Sequence, residues 1–263
     1  MRALLLAAGL GTRLRPLTNY LPKCMVPIHG RPLLDYWMQT LVGHGVEKIL
    51  VNTHYLPQPV LNFLENSSWM PWVSLVHEPE LLGTGGTVLR NRDFFEGQPF
   101  VVAHADNLTI FDAEDFIHAH RARPSDAEMT MMVFESDDPR SCGIVETDGR
   151  GVVLAFHEKV ASPPGNLANA AVYIFEQTVF DLLVRKGKPD IDLSTEIIPE
   201  MIGHISTYKN ANYHRDIGNI ASWQEANRSF PRIPAEPQNV LAWSAACGAE
   251  GRTLRSAIDD LLK

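Results

Sequence analysis

The sequence predicts an α/β fold built on a doubly wound, mixed but mostly parallel sheet, and three observations carry the prediction. Three runs, Ala3 to Ala8, Lys48 to Asn52 (KILVN) and Phe100 to Ala103 (FVVA), are apolar almost throughout rather than alternating, as strands covered on both faces are. Between the first two, Leu33, Leu34, Trp37, Met38 and Leu41 recur at helical spacing, and Gly43 and Gly45 stop that helix. The result is strand, loop, helix, strand within the first 52 residues, the order of a parallel sheet. Lastly, the first run ends in Gly9 and Gly11, and the third delivers His104, Ala105, Asp106 and Asn107. Ligands of open α/β sheets gather beyond the carboxyl ends of the strands. The Gly9 loop and Asp106 are therefore expected on one edge.

The remaining elements follow in order. A helix is expected around Pro59 to Leu64, a strand over Trp72 to His77, and a polar-faced helix over Asp112 to Arg123. Met129 to Glu135 reads as a strand. Ile144–Thr147 and Val152–His157 form a hairpin about the turn Asp148-Gly149. Asn169 to Phe175 is strand-like, Val179 to Lys186 helical, and Thr195 to Ile202 a helix bent by Pro199. A short strand at Tyr213 to Ile217 and a helix at Ala221 to Asn227 complete the pattern. After Phe230 come Pro231, Pro234 and Pro237, an extended linker. Leu254, Ile258 and Leu261 then mark one face of a final helix.

Composition narrows the function. Apolar content of 45% and charged content of 21% over 263 residues are ordinary for a soluble globular chain. A formal charge of −8 argues against a non-specific nucleic-acid binder, which needs a basic surface. No apolar run approaches the ~20 residues of a membrane span. The chain opens on a strand rather than a signal peptide, so a cytoplasmic protein with no membrane partner is expected. Cys24, Cys142 and Cys247 form neither a disulfide framework nor a metal-site spacing. Cys24, beside Lys23, is either a thiol of lowered pKa or, more plainly, a small buried side chain.

The most informative stretch is LLLAAGLGTRLRPLT, from Leu4 to Thr18. Leu6, Ala7, Ala8, Gly9, Gly11 and Thr12 present a strand end and a turn with free backbone N–H groups, and glycine lets a ligand approach closely. Arg13 and Arg15 follow, each able to grip phosphate oxygens in bidentate fashion. That combination asks for a polyphosphate. Leu14 stands where a dinucleotide fingerprint needs its third glycine, which disfavours an NAD-linked oxidoreductase, and no Walker loop is present.

Leu4–Thr18 with Pro22-Lys23 and Pro27, then Leu82-Gly83-Thr84-Gly85-Gly86, Ala105-Asp106-Asn107, Glu158-Lys159, Asn169–Phe175 and Asp216-Ile217-Gly218, together resemble the sugar-nucleotidyltransferase family. The blocks occur in the family's order across roughly residues 1–229. Glu80 to Gly86 looks most like the mannose- or heptose-1-phosphate guanylyltransferases and the uridylyltransferases. The resemblance implies a Rossmann-like, glycosyltransferase-A-like fold with a catalytic domain over 1–229. About 1–112 would be its nucleotide-binding half and 113–229 its sugar-phosphate-binding half. Residues 230–263, the Pro-rich linker and helical tail, lie outside it; the tail either docks on the domain or mediates homo-oligomerisation.

The activity implied is transfer of a nucleoside monophosphate from a nucleoside triphosphate, GTP or UTP favoured, to a sugar 1-phosphate, with Mg2+ as cofactor. A phosphate nucleophile with a second pKa of about 6 is already anionic, so no general base is needed. Positioning and charge stabilisation carry the catalysis. By resemblance Arg13 binds the β- and γ-phosphates, Lys23 sits between α-phosphate and sugar phosphate, and Asp106 and Asp216 hold the metal. Gly83, Thr84 and Gly85 join the first loop around the nucleotide. Asn107, Gly143, Glu158, Lys159 and Asn169 face the sugar phosphate. Ala105 and Ala171 replace glycines of the family and Val160 a proline; Ala105 fits provided its φ is not positive. Glu78 and Glu80 read as exposed loop glutamates, with guanine contact the other option, and His104 needs no special role. A catalytically silent nucleotide- or sugar-phosphate-binding regulator on the same fold is the alternative, and retention of both aspartates speaks against it.

Overall fold

The computed structural model describes residues 1–248 and 251–262. Strand β1 (Arg2–Leu6) is followed by the loop that carries Gly9 and Gly11 and by a short ribbon, β2 (Pro27–Ile28) and β3 (Arg31–Pro32). Then come α1 (Leu33–Leu41), β4 (Lys48–Thr53), α2 (Pro57–Asn66), β5 (Val73–His77), α3 (Gly83–Arg90) and β6 (Phe100–His104). β1 pairs in parallel with β4 on one side and β6 on the other, and β5 extends the sheet beyond β4. The chain thus winds outward from β1 and returns to its far side. This reversal between β1 and β6 is the switch point where open α/β sheets leave a crevice.

The second half adds β7 (Asn107–Thr109), α4 (Ala113–Arg121), β8 (Met129–Glu135), β9 (Gly143–Thr147), β10 (Val153–Glu158) and β11 (Leu167–Phe175). After it come α5 (Val179–Arg185), β12 (Ile205–Lys209), β13 (His214–Asp216), α6 (Ile220–Ser229), α7 (Pro237–Ala246) and α8 (Gly251–Leu261). β11 runs antiparallel to β6 and β8, joining the two halves in one nine-stranded mixed sheet. β13 pairs antiparallel with β7 in a separate two-stranded ribbon.

Burial explains the unbroken apolar runs. On β1, Ala3 and Leu5 enter one core with Trp37, Phe63 and Trp223, while Leu4 enters the other with Phe100, Phe175 and Phe180. Alternate residues point to opposite faces of a strand, so a strand with a core on each side must be apolar throughout.

Two expectations are corrected. Thr195–Ile202 is not a bent α-helix: a π-helical turn over Leu193–Ile197 passes directly into a 3-10 turn over Ile198–Met201, with Pro199 at its start. The linker is irregular only as far as Glu236, and Pro237 opens α7 at the first-turn position where its missing N–H costs nothing. The tail is docked. Asn239 of α7 is buried, accepts from Ser68 N and Oγ at 2.9 and 3.0 Å, and donates to Asp35 Oδ1 at 3.2 Å. Leu254 is buried, and Ile258 and Leu261 pack on the same core.

Candidate active site

The loop after β1 is held from below. Ala7 N donates to Asn52 Oδ1 at 2.7 Å, and Asn52 Nδ2 donates to Glu78 Oε1 at 3.1 Å, which also accepts from Thr87 Oγ1 at 2.7 Å. Glu78 is buried, so it is not the exposed loop glutamate expected from the sequence; Glu80 is exposed as expected. Asn52, which sequence reasoning passed over, thus fixes the start of the loop. Its signal was a polar residue at the carboxyl end of an apolar strand. Gly11 has φ +61°, and a Cβ there would meet Thr18 Cγ2 at 2.9 Å and Lys23 Cβ at 3.1 Å. Thr18 Oγ1 closes the turn by donating to Gly11 O at 2.8 Å. A Cβ on Gly9 would stand in open space, and Gly9, Thr12 and Arg13 are exposed.

The same edge carries the charge. Asp106 lies in the tight connection between β6 and β7, and β13 runs alongside with Asp216 opposite Asn107. Ile217 N donates to Asp106 O at 3.2 Å. Lys23 Nζ reaches both carboxylates, Asp106 Oδ2 at 2.5 Å and Asp216 Oδ1 at 3.2 Å. The side-chain exposures, 11% for Lys23, 29% for Asp106 and 61% for Asp216, step from interior to solvent. Burial pushes the Lys23 ammonium down, but the two carboxylates outweigh it and raise its pKa. Burial likewise pushes Asp106 up, and Lys23, with His104 and two hydrogen bonds, holds it below the ordinary carboxylate range. A Cβ on Gly218 would lie 2.8 Å from Asp216 Oδ2 and 3.5 Å from Arg13 Nη2. Residues from positions 13, 23, 106, 216 and 218 therefore share one small volume, although Arg13 itself makes no ion pair among the described residues.

Neighbouring groups settle the expectations for Cys24 and the histidines. Cys24 is buried, and desolvation with the nearby Asp106 pushes its thiol up to about 12. The plainer reading holds: it is an inert core residue. His104 Nε2 and His214 Nδ1 are buried beside Asp106 without hydrogen-bond partners. Burial drives the His214 pKa down to about 3, so that imidazole is neutral. Sequence spacing gave no sign of this pair.

On the other side of β6 the residues expected to face the sugar phosphate gather around a bulge in β11. Val133 of β8 pairs with Asn169 and Met131 with Tyr173, which leaves extra residues on β11. Asn107 Nδ2 donates to Ala170 O at 2.9 Å, Asn169 Oδ1 accepts from Ala171 N at 2.9 Å, and Asn169 Nδ2 donates to Tyr173 Oη at 2.8 Å. Both asparagines brace the bulge. Ala171 has φ +53°, which accounts for the glycine of the resembled pattern, whereas Ala105 has no positive φ and is accommodated. Glu158 and Lys159 end β10. Glu158 Oε1 lies 3.1 Å from Lys159 Nζ, and a Cβ on the paired Gly143 would meet Glu158 Oε2 at 2.6 Å.

Gly83, Thr84, Gly85 and Gly86 begin α3, a helix that the sequence did not suggest. Protein packing accounts for these glycines. A Cβ would meet Ile191 O at 2.5 Å from Gly83, Ile191 Cγ2 at 2.9 Å from Gly85, and Pro189 O at 2.0 Å from Gly86. Gly85 N donates to Ile191 O at 2.8 Å, and Thr84 Oγ1 accepts from Leu193 N at 2.7 Å.

Fold and site together define an α/β chain with a glycine-containing loop and a cation–carboxylate cluster at its switch point. Residues 2–232 match the nucleotidyl transferase family, and the chain belongs to it. It is 32% identical over 221 residues to a mannose-1-phosphate guanylyltransferase of Mycobacterium tuberculosis, covering 82% of this chain and 60% of the relative. It is also 28% identical over 258 residues to a UTP–glucose-1-phosphate uridylyltransferase of Synechocystis, covering 91% and 65%. The chain thus spans about three-fifths of the length of these curated relatives. A crystal structure of apo UDP-glucose pyrophosphorylase superposes with a TM-score of 0.75 at 21% identity, covering 88% of this chain and 98% of that one, and supports the fold. Among the described residues no helix is long and apolar enough to cross a membrane.

Proposed function

We propose that this chain is a sugar-1-phosphate nucleotidyltransferase: it moves a nucleoside monophosphate from a nucleoside triphosphate to a sugar 1-phosphate, forming a nucleotide sugar and pyrophosphate. The observation that carries the reading is the meeting of Lys23 with Asp106 and Asp216 at the mouth of the Gly9–Arg13 loop. The nucleophile needs no base, because its own phosphate is ionised at neutral pH. The enzyme's task is to let two anions approach. Arg13, exposed and without an ion pair among the described residues, takes the β- and γ-phosphates with its fork and stabilises departing pyrophosphate. Lys23 offers an ammonium kept charged by two carboxylates and directed at the junction of α-phosphate and sugar phosphate. The backbone from Leu6 to Thr12 borders the triphosphate, and the N–H groups after Ala7 are its donors, since Ala7 N is taken by Asn52. Glu158 takes sugar hydroxyls and Lys159 the sugar phosphate. Asn107, Asn169 and Gly143 shape the sugar side through the bulge and the β9–β10 corner, and Gly83 to Gly85 border the nucleotide.

The carboxylates also fit a divalent cation. Lys23 Nζ contacts both at once, so their oxygens lie within one cation's reach. No group of three or more His, Cys, Asp or Glu side chains suited to a metal exists among the described residues. A hard ion bound by two carboxylates, phosphate oxygens and water is the arrangement magnesium favours. Asp106 and Asp216 would hold it, and it would neutralise phosphate charge. GTP and UTP are the donors favoured.

Pyrophosphate release, measured for four nucleoside triphosphates against several hexose and heptose 1-phosphates with Mg2+, tests the reading. Release with at least one pair is expected. Nucleotide binding without release from any pair would replace it with a silent regulator.

A further inference from the structure

A cavity of about 1050 Å³ is walled by the β2–β3 turn and by α6, α7 and α8. None of Arg13, Lys23, Asp106 or Asp216 lines it. Its size is at the upper end of small-molecule sites, which run to about 1000 Å³. Among the described residues its charge is one-sided: Arg228, Arg232 and Arg255 line it and no described aspartate or glutamate does, in a chain of formal charge −8. Arg228 touches Glu225 at 3.3 Å in an exposed pair, which neutralises it only weakly. Arg232 and Arg255 have no ion-pair partner among the described residues. Much of the remaining wall is apolar and aromatic, with Trp243, Leu254 and Ile258.

The floor is rigid. His29 N donates to Asn227 Oδ1 at 3.0 Å, the His29 ring Nε2 lies 2.9 Å from Asn227 O, and Trp223 Nε1 donates to Pro27 O at 2.7 Å. These bonds lock the β2–β3 turn to α6. Pro27 follows Lys23 by four residues and Ile220 follows Asp216 by four, so the floor is continuous with both charged segments of the candidate active site.

Guanidinium forks grip phosphate, and an indole face stacks on a planar base. An apolar ligand would leave the arginines unused, and a bare phosphate would leave Trp243 unused. We propose that this cavity is a second binding site, separate from the catalytic edge, for a nucleoside diphosphate group.

The test is fluorescence titration of the full chain with GDP, comparing the parent with Trp243→Phe so that the Trp243 signal is isolated. Saturable quenching of that signal is expected. It should weaken at least tenfold in Arg232→Gln/Arg255→Gln, whose side chains are exposed and have no ion pair to lose among the described residues, and be unmoved in Arg13→Ala. No Trp243-dependent quenching by GDP would overturn the proposal. So would an equal response to guanosine, or an arginine variant that binds like the parent. The signal does not depend on turnover, so an inactive chain can pass this test and an active enzyme can fail it.

Discussion

Replacing Asp106 by asparagine removes one charge from the cluster while keeping its shape. The loss for folding can be bounded from the geometry. Breaking a fully buried ion pair costs about 3–5 kcal/mol. Here Asp106 keeps 29% of its side chain exposed, Lys23 retains Asp216 at 3.2 Å, and the asparagine oxygen still accepts from the ammonium. The expected cost is therefore about 1.5–3 kcal/mol, the range of a hydrogen bond to a charged group. For a chain of this size that lowers Tm by roughly 3–12 °C. Turnover should suffer more, by about 10²–10³ in kcat, as when one preorganised charge-stabilising group is lost. The pH dependence separates the two effects. The Asp106 pKa is held below its unfolded value, so its contribution is present above about pH 3.9 and is lost as pH falls through the folded value. Parent and variant stabilities should converge in strong acid. Calorimetry across pH with a pyrophosphate-release assay reads both. A folded Asp106→Asn protein with activity within threefold of the parent would refute the role assigned to this carboxylate.

Other perturbations address other parts of the account. Arg13→Lys keeps charge and loses the fork; with no ion-pair partner to lose, stability should change by less than about 0.5 kcal/mol while kcat falls tenfold or more, and equal rates would contradict the assignment. Ala171→Gly relieves a left-handed alanine, worth about 1–2 kcal/mol, against about 0.4–1 kcal/mol of added unfolded-state entropy. Denaturant titration should show a neutral to slightly stabilised protein, and a clear loss would mean the β11 bulge does not strain this residue. His120 is buried with its ring against Thr130 Oγ1 at 2.8 Å, and burial, then Arg123 and Arg121, lower its pKa to about 4. It stays neutral in the fold, so its contribution, up to about 3 kcal/mol, is present above about pH 6.5 and is lost as pH falls towards 4. His120→Gln should flatten the stability curve over that window, and an unchanged slope would contradict the burial argument.

Much of the first half was legible because a strand covered on both faces must be apolar, and β1, β4 and β6 are. The Gly9–Arg13 loop was legible for a related reason: a strand end, two glycines and an arginine have few other uses. What failed depended on distant partners. GTGGT is a poor helix former by propensity, and α3 forms because residues 189–191 dock on its glycine face, which no local pattern records. Pro237 reads as a linker residue until α2 is available for α7 to pack on. Asn107 and Asn169 are equally plausible as ligand contacts in sequence; in the fold their amides are occupied by the β11 bulge. Glu78 looked solvent-exposed because its partners Asn52 and Thr87 lie 26 and 9 residues away. The approach of Asp216 to Asp106 came from family resemblance, since nothing in their spacing encodes the β7–β13 pairing that brings them together.

A crystal structure of the chain with a non-hydrolysable nucleoside triphosphate and magnesium bears most directly on the charge cluster. The triphosphate is expected along the Gly9–Arg13 loop, with its outer phosphates on Arg13 and a metal ion between Asp106 and Asp216. A triphosphate bound away from Arg13, or a metal held by neither aspartate, would contradict the account.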